Sequence, residues 1–193
     1  MTATALIILD VQQGILPMLG EYDREGYLNR VATTAQKARE AGIQIIHVNT
    51  AFRQGYRDIS TRNKFMSPIV AMSKDSGNFL QGHVSTELEP AVAPPPGSED
   101  LLVTKKRTSA FTGSDLEVVL RSLGIGKLAL AGVATSGAVL STLRQAADMD
   151  YGMTVVEDLC LDRDEEVHRV LTQKVFTRQA DVVSSKQWLD SLN

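Results

Sequence analysis

The chain has 193 residues, of which 43% are hydrophobic and 22% are charged, a composition typical of one globular domain. Its 20 basic and 23 acidic side chains give a net charge of −3, which argues against a nucleic-acid partner or an anionic membrane surface. The single cysteine, Cys160, excludes an internal disulfide framework and a metal site built from several cysteines.

The first predicted element is a strand at residues 5–9, with the sequence ALIIL. This apolar run ends at Asp10, so it is too short to cross a membrane, and no basic segment of a signal peptide precedes it. We therefore expect a cytoplasmic protein without a membrane partner.

The rest of the chain alternates between predicted strands and helices. Further apolar runs predict strands at residues 43–48, 101–105, 127–133, 153–158 and 180–184. Apolar residues at helical spacing predict helices at residues 29–42, 114–124, 136–150 and 164–176. Continuous hydrophobicity within strands is typical of a parallel sheet covered on both faces. The sequence thus predicts a single α/β domain over residues 1–193, doubly wound, with a six-stranded parallel sheet.

Three positions follow predicted strands and are candidates for a site. Asp10 follows the first strand, Lys105 ends the third, and Ala138 lies shortly after the fourth. Ligands of such folds bind at the carboxyl ends of the strands, so we expect the three residues to meet in one pocket, walled by the irregular segment 50–100. Alternatively, Asp10 caps a helix, Lys105 is solvated, and the small residues around Ala138 only permit close packing.

Four segments of the chain resemble the isochorismatase-like, or cysteine hydrolase, superfamily: LIILDVQ, KKRTSAF, LALAGVATSGAVLSTLRQAAD and GMTVVEDLC. The resemblance implies a Rossmann-like sheet of six parallel strands and a homodimer or homotetramer. In the amidase branch it implies a triad of Asp, Lys and Cys, which Asp10 and Lys105 match in part. Ala138 stands at the position of the nucleophilic cysteine. Cys160 lies beyond the next strand and is interpreted as a buried structural thiol.

A methyl group at position 138 cannot form the covalent acyl-enzyme of an amidase. The resemblance then implies the chemistry of isochorismatase-type members, in which an acid protonates a vinyl ether and water attacks the resulting oxocarbenium ion. Asp10 is the predicted acid if burial raises its pKa, whereas a neighbouring Lys105 ammonium would lower it. We therefore expect acid–base hydrolysis of a C–O or C–N bond in a small anionic metabolite, without a cofactor.

Several further residues are predicted to surround this substrate. The resemblance implies a cis peptide bond within residues 133–135, and the following helix directs its positive end at the pocket. Arg53 is a candidate clamp for a substrate carboxylate. No metal site is predicted, because Asp58 lacks a neighbouring histidine and His47 is interpreted as a satisfied core residue. The predicted substrate-binding residues are Gln12, Phe52, Arg53, Tyr56, Val133, Ala134, Thr135, Ser136 and Gly137.

Other functions are also consistent with parts of the sequence. Ser136, Asp158 and His168 follow one another in the order of a serine-hydrolase triad. However, His168 lies in a helical pattern, so helix capping is the preferred role of Ser136. Two further alternatives stay open: a catalytically silent binding or oligomeric protein, and a cysteine hydrolase whose nucleophile has been replaced at Ala138.

Overall fold

The computed structural model describes residues 3–192, and its strands are β1 (Ala3–Leu9), β2 (Gln44–Thr50), β3 (Leu101–Lys105), β4 (Ile125–Val133), β5 (Gly152–Leu161) and β6 (Asp181–Val183). They form one sheet in the order β3-β2-β1-β4-β5-β6, and every neighbouring pair is parallel. The strand order reverses between β1 and β4, as in a doubly wound fold. The predicted fold class is confirmed.

Within the described residues the α-helices are α1 (Arg24–Glu40), α2 (Met66–Ser73), α3 (Leu116–Ser122), α4 (Leu140–Asp148), α5 (Glu165–Val170) and α6 (Ser185–Asp190). Helix α1 begins earlier than predicted because the Asp23 carboxylate accepts a hydrogen bond from the backbone of Gly26 at 2.9 Å. Helix α5 is shorter than predicted, because the chain continues as a π-helical turn over Leu171–Val175. No helix in this part of the chain is long and apolar enough to cross a membrane.

Each face of the sheet has its own apolar core. Successive side chains of a strand point to opposite faces, and Ala5, Ile7 and Leu9 accordingly pack with α3 and α4. On the other face, Leu6 and Ile8 pack with α1 and α6. All of these β1 residues are fully buried. Burial on both faces is the physical reason for the uninterrupted apolar run of β1.

The ends of β1 and β4 approach each other at a glycine. Gly132 pairs with Leu9 and has a φ of 114°. A Cβ atom at this position would lie 2.0 Å from the carbonyl oxygen of Leu9, a distance at which no side chain fits. The glycine therefore allows both strands to end side by side, directly before Asp10 and the segment 133–138.

We predict that Gly132→Ala lowers the free energy of unfolding by about 3 kcal/mol, because the added methyl meets the backbone of Leu9 in a conformation that alanine rarely adopts. Gly42→Ala is the matched control. Gly42 also has a positive φ, of 75°, but a Cβ atom there meets nothing within 4 Å, so we expect a loss of only about 1 kcal/mol. Urea denaturation of both variants measures the difference, and equal losses would contradict the predicted backbone clash.

Candidate active site

A cavity of about 170 Å³ lies at the carboxyl ends of the strands. Asp10 follows β1, Thr50 ends β2, Lys105 ends β3, and Val133 ends β4, and all four line this cavity. Gly137 and Ala138 line it as well. The position agrees with the rule that ligands of open α/β sheets bind where the strand order reverses. The structure therefore brings Asp10, Lys105 and Ala138 together around one space, as the sequence predicts.

Asp10, Thr50 and Lys105 form one hydrogen-bonded network in the cavity wall. The Lys105 ammonium lies 2.8 Å from Asp10 Oδ2 and donates to Thr50 Oγ1 at 2.7 Å. The Thr50 hydroxyl in turn donates to Asp10 Oδ1 at 3.0 Å. Both charged side chains are almost fully buried. The structural alternatives for Asp10 and Lys105 are therefore wrong: Lys105 is not solvated, and the Asp10 carboxyl group binds side chains rather than capping a helix.

Burial raises the pKa of the Asp10 carboxyl group. The Lys105 ammonium and the hydrogen bonds from Lys105 and Thr50 act in the opposite direction, but they do not cancel the loss of water around the carboxylate. The sequence leaves open which of these effects is larger, and in the folded protein desolvation is the larger one. A carboxyl group of this kind keeps its proton to a higher pH than an exposed aspartate.

The turn after β4 carries Ala138, the position at which the resemblance places the cysteine of the amidase branch. The peptide bond between Val133 and Ala134 is cis, as the resemblance implies, and Thr135–Val139 form a single π-helical turn before α4. Gly137 and the methyl group of Ala138 face the cavity. Among the described residues, no thiol or hydroxyl of this turn belongs to the cavity wall.

Thr135 and Ser136 have partners on the far side of this turn. The Thr135 hydroxyl lies 2.8 Å from His168 Nδ1, and the Ser136 backbone N–H donates to Asp162 Oδ2 at 2.6 Å. The turn begins after Ala134, without a side-chain cap, so the predicted capping role of Ser136 is wrong. The Asp162 carboxylate takes that role instead.

Ser136, Asp158 and His168 do not form the triad of the serine-hydrolase alternative. His168 is paired with Thr135 rather than with Ser136. Asp158 accepts two hydrogen bonds of 2.6 Å from the backbone and side chain of Ser185, at the start of α6. The three residues of the supposed triad are therefore engaged with different partners.

Five of the predicted substrate-binding residues do not line the cavity, namely Gln12, Arg53, Tyr56, Thr135 and Ser136. Gln12 is fully buried and bonds to backbone groups, including the Thr50 N–H at 2.7 Å. The Tyr56 hydroxyl is hydrogen-bonded to the carbonyl oxygen of Ser73. The Arg53 side chain is 68% exposed and pairs with Asp58, so the prediction of a carboxylate clamp is wrong. The Asp58 carboxylate also accepts a hydrogen bond from the Arg53 backbone N–H at 3.0 Å.

The cavity has an apolar wall that the sequence does not predict. Of the large aromatic and aliphatic side chains that line the cavity, the sequence predicts Phe52 and Val133. It does not predict Ile15, Met18, Leu19, Phe65, Met66, Ile69 and Phe79. Part of this wall is α2, with the sequence MSPIVAMS. An apolar run inside a segment otherwise rich in glycine and polar residues was the signal that could have identified it.

Cys160 and His47 lie outside the cavity wall. Cys160 is buried, and burial raises the pKa of its thiol, so it remains a protonated structural residue. His47 is fully buried with Nε2 at 3.1 Å from Asp100 Oδ2, but its Nδ1 atom has no partner. His47 is thus a core residue, as predicted, although only half satisfied. Within residues 3–192, no cluster of three or more His, Cys, Asp or Glu side chains is arranged to hold a metal ion.

Comparisons with known proteins identify relatives of this chain in sequence and in structure. Residues 4–187 match the isochorismatase domain. The isochorismatase family protein YecD from Escherichia coli O157:H7 is 30% identical over 193 residues, covering 98% of this chain and 96% of YecD. The ureidoacrylate amidohydrolase RutB from Variovorax paradoxus is 30% identical over 171 residues, covering 80% and 67%. A solved isochorismatase family protein from Burkholderia thailandensis has 25% identity and a TM-score of 0.84, covering 98% and 95%.

We predict that Lys105→Met raises the pKa of Asp10 further, because the ammonium at 2.8 Å is the strongest group that lowers it. Lys106→Met is the matched control, since the Lys106 ammonium binds the Ala51 carbonyl oxygen instead. The measurement is a ¹³C NMR titration of the Asp10 carboxyl carbon in all three proteins. An unchanged or lower pKa of Asp10 in Lys105→Met would contradict the described network.

Proposed function

The chain belongs to the isochorismatase family, and we propose that it is a hydrolase that cleaves a C–O or C–N bond of a small molecule by acid–base chemistry at Asp10 and Lys105, without a covalent intermediate. The observation that carries this proposal is the buried Asp10 carboxyl group in the cavity wall, whose pKa burial raises in spite of the nearby Lys105 ammonium. A general acid must hold a proton at the working pH.

The groups that surround the cavity limit the available reactions. Ala138 offers only a methyl group, which can neither attack a carbonyl carbon nor carry a proton. Asp10 is the one carboxyl group among the described residues that line the cavity. These two facts support direct attack by water on a substrate that Asp10 has activated, rather than formation of an acyl-enzyme.

The proposed step begins with protonation of the substrate by Asp10. For a vinyl ether the proton goes to the enol-ether carbon, and water then adds to the oxocarbenium carbon and returns one proton to Asp10. The C–O bond of the resulting hemiketal breaks as its hydroxyl proton passes to the leaving oxygen, which releases a carbonyl compound and an alcohol. Asp10 becomes a carboxylate as the proton leaves, and the Lys105 ammonium 2.8 Å away stabilises that charge. Thr50 keeps the carboxylate in place through its hydrogen bond to Oδ1.

The relatives support hydrolysis without identifying a substrate. RutB is named as an amidohydrolase. For this reason the proposal includes cleavage of C–N bonds as well as cleavage of vinyl ethers. The predicted negative charge of the substrate rests on Lys105, on the positive end of the helix after β4 and on Arg53, and of these Arg53 pairs with Asp58 outside the cavity. A cytoplasmic location and a homodimer or homotetramer remain part of the proposal, as the resemblance and the sequence predict them.

We predict that Asp10→Asn lowers the turnover of any substrate of this protein by at least about a hundredfold, because an amide cannot donate the required proton. The substrate is sought in a panel of isochorismate, related vinyl ethers, amides and esters, by product release in a chromatographic assay. Asp100→Asn is the matched control: Asp100 is also a buried, ion-paired aspartate, bound to Arg39 at 2.7 Å, but it does not line the cavity.

Activity that is retained in Asp10→Asn, or lost equally in Asp100→Asn, would contradict the assigned role of Asp10. If the wild-type protein converts no compound of the panel, the proposal that it hydrolyses these classes of compound is wrong. The alternative of a catalytically silent binding protein would then be favoured.

We predict that Ala138→Cys reacts with an activated ester to form a stable or slowly hydrolysed acyl-enzyme, because position 138 faces the cavity that contains Asp10. Asp10 can accept the thiol proton when it is ionised. Mass spectrometry after brief exposure to the ester detects the adduct. The wild-type protein is the control, since its buried Cys160 has a raised pKa. Labelling of Ala138→Cys no faster than of the wild type would contradict the proposed alignment.

A further inference from the structure

We propose that the substrate of this site is uncharged and places an apolar group about the size of a benzene ring in the cavity. The inference rests on the proposed function for the chemical step, and on the charges and walls of the cavity for the class of ligand. It replaces the anionic metabolite that the sequence predicts.

The walls of the cavity are predominantly apolar. Large side chains from three parts of the chain surround it: the segment after β1, the segment after β2, and α2 with the residues next to it. They include Ile15, Leu19, Phe52, Met66, Ile69 and Phe79. Such walls favour an apolar group because its contact with water is removed on binding.

The volume of the cavity sets the size of that group. At about 170 Å³, it is similar to an engineered apolar cavity of about 150 Å³ that binds benzene. A phenyl ring or a short branched alkyl group fits this space together with one small polar substituent. The polar substituent must face Asp10 and Ala138, since the reactive bond has to meet the proton donor.

Lys105 has no hydrogen-bond donor left for an anionic substrate. It is the one cation among the described residues that line the cavity. An ammonium group has three N–H donors, and here they go to Asp10 Oδ2 at 2.8 Å, Thr50 Oγ1 at 2.7 Å and the Arg107 carbonyl oxygen at 3.1 Å. A carboxylate in the cavity would also lie close to the Asp10 carboxyl group, which repels it whenever Asp10 is ionised.

Two other positive features near the cavity are also matched by carboxylates of this chain. The first turn after β4 directs the Ser136 backbone N–H at Asp162 Oδ2, at 2.6 Å. Arg53 pairs with Asp58 and is largely exposed. Burying an ion without a free partner is unfavourable by several kcal/mol, so a neutral ligand is favoured over an anionic one of the same shape.

The test compares benzyl alcohol with benzoate, two ligands of similar size that differ in charge. Chemical-shift titrations of the ¹⁵N-labelled full-length protein at neutral pH measure both affinities and show whether the amides of residues 133–138 respond. We expect benzyl alcohol to bind at least about tenfold more tightly than benzoate. Equal or tighter binding of benzoate, or no binding of benzyl alcohol at this site, would overturn the inference.

A pair of lysine variants tests whether the preference arises in the cavity. Met18 lines the cavity and is 46% exposed, whereas Met72 is 78% exposed and does not line it. We expect Met18→Lys to reduce the preference for benzyl alcohol several-fold and Met72→Lys to leave it unchanged. Equal changes in the two variants would overturn the inference. Because neither ligand needs to react, failure of this test is distinct from failure of the Asp10→Asn test of hydrolysis.

Discussion

The buried contact between the Asp10 carboxyl group and the Lys105 ammonium is the interaction on which the site depends. It connects the end of β1 to the end of β3 across the intervening strand β2, and the side chain of Thr50 at the end of β2 bridges the two charged groups. Thr50 pairs directly with Lys105 in the strand register. A shift of either strand by one residue would turn these side chains to the opposite face. The strand register that buries the apolar side chains is therefore also the register that brings the network together.

The burial that makes this pair costly is also what gives it a chemical use. Water is kept from Asp10 by an apolar wall that includes Phe52, Met66 and Phe79, and loss of hydration raises the pKa of the carboxyl group. The same wall forms the space for a substrate. The Lys105 ammonium lowers the pKa of Asp10 and so partly offsets the effect of burial. It also provides a positive charge beside the carboxylate that forms when the proton leaves. The proposed proton donation and the proposed ligand selection therefore have one structural cause.

The sequence predicted the parts of the fold that depend on local pattern. Runs such as ALIIL identify strands buried on both faces, and the parallel arrangement places Asp10, Lys105 and Ala138 at one edge without further information. The sequence did not predict which way Arg53 points, because that depends on Asp58 and on a turn between them. It also could not settle the pKa of Asp10, since the opposing effects of burial and Lys105 depend on contacts made by the distant segment 50–100.

The methyl group of Ala138 is consistent with this arrangement rather than a defect in it. At the position where the resemblance places a cysteine, a thiol would use Asp10 as the acceptor of its proton, and the carboxyl group would serve the protein's own nucleophile. With alanine there, Asp10 has no such partner, and its proton is available to the substrate. The methyl group also extends the apolar wall to the reactive end of the cavity. An alanine at position 138 is therefore consistent both with the proposed non-covalent reaction and with the proposed apolar ligand.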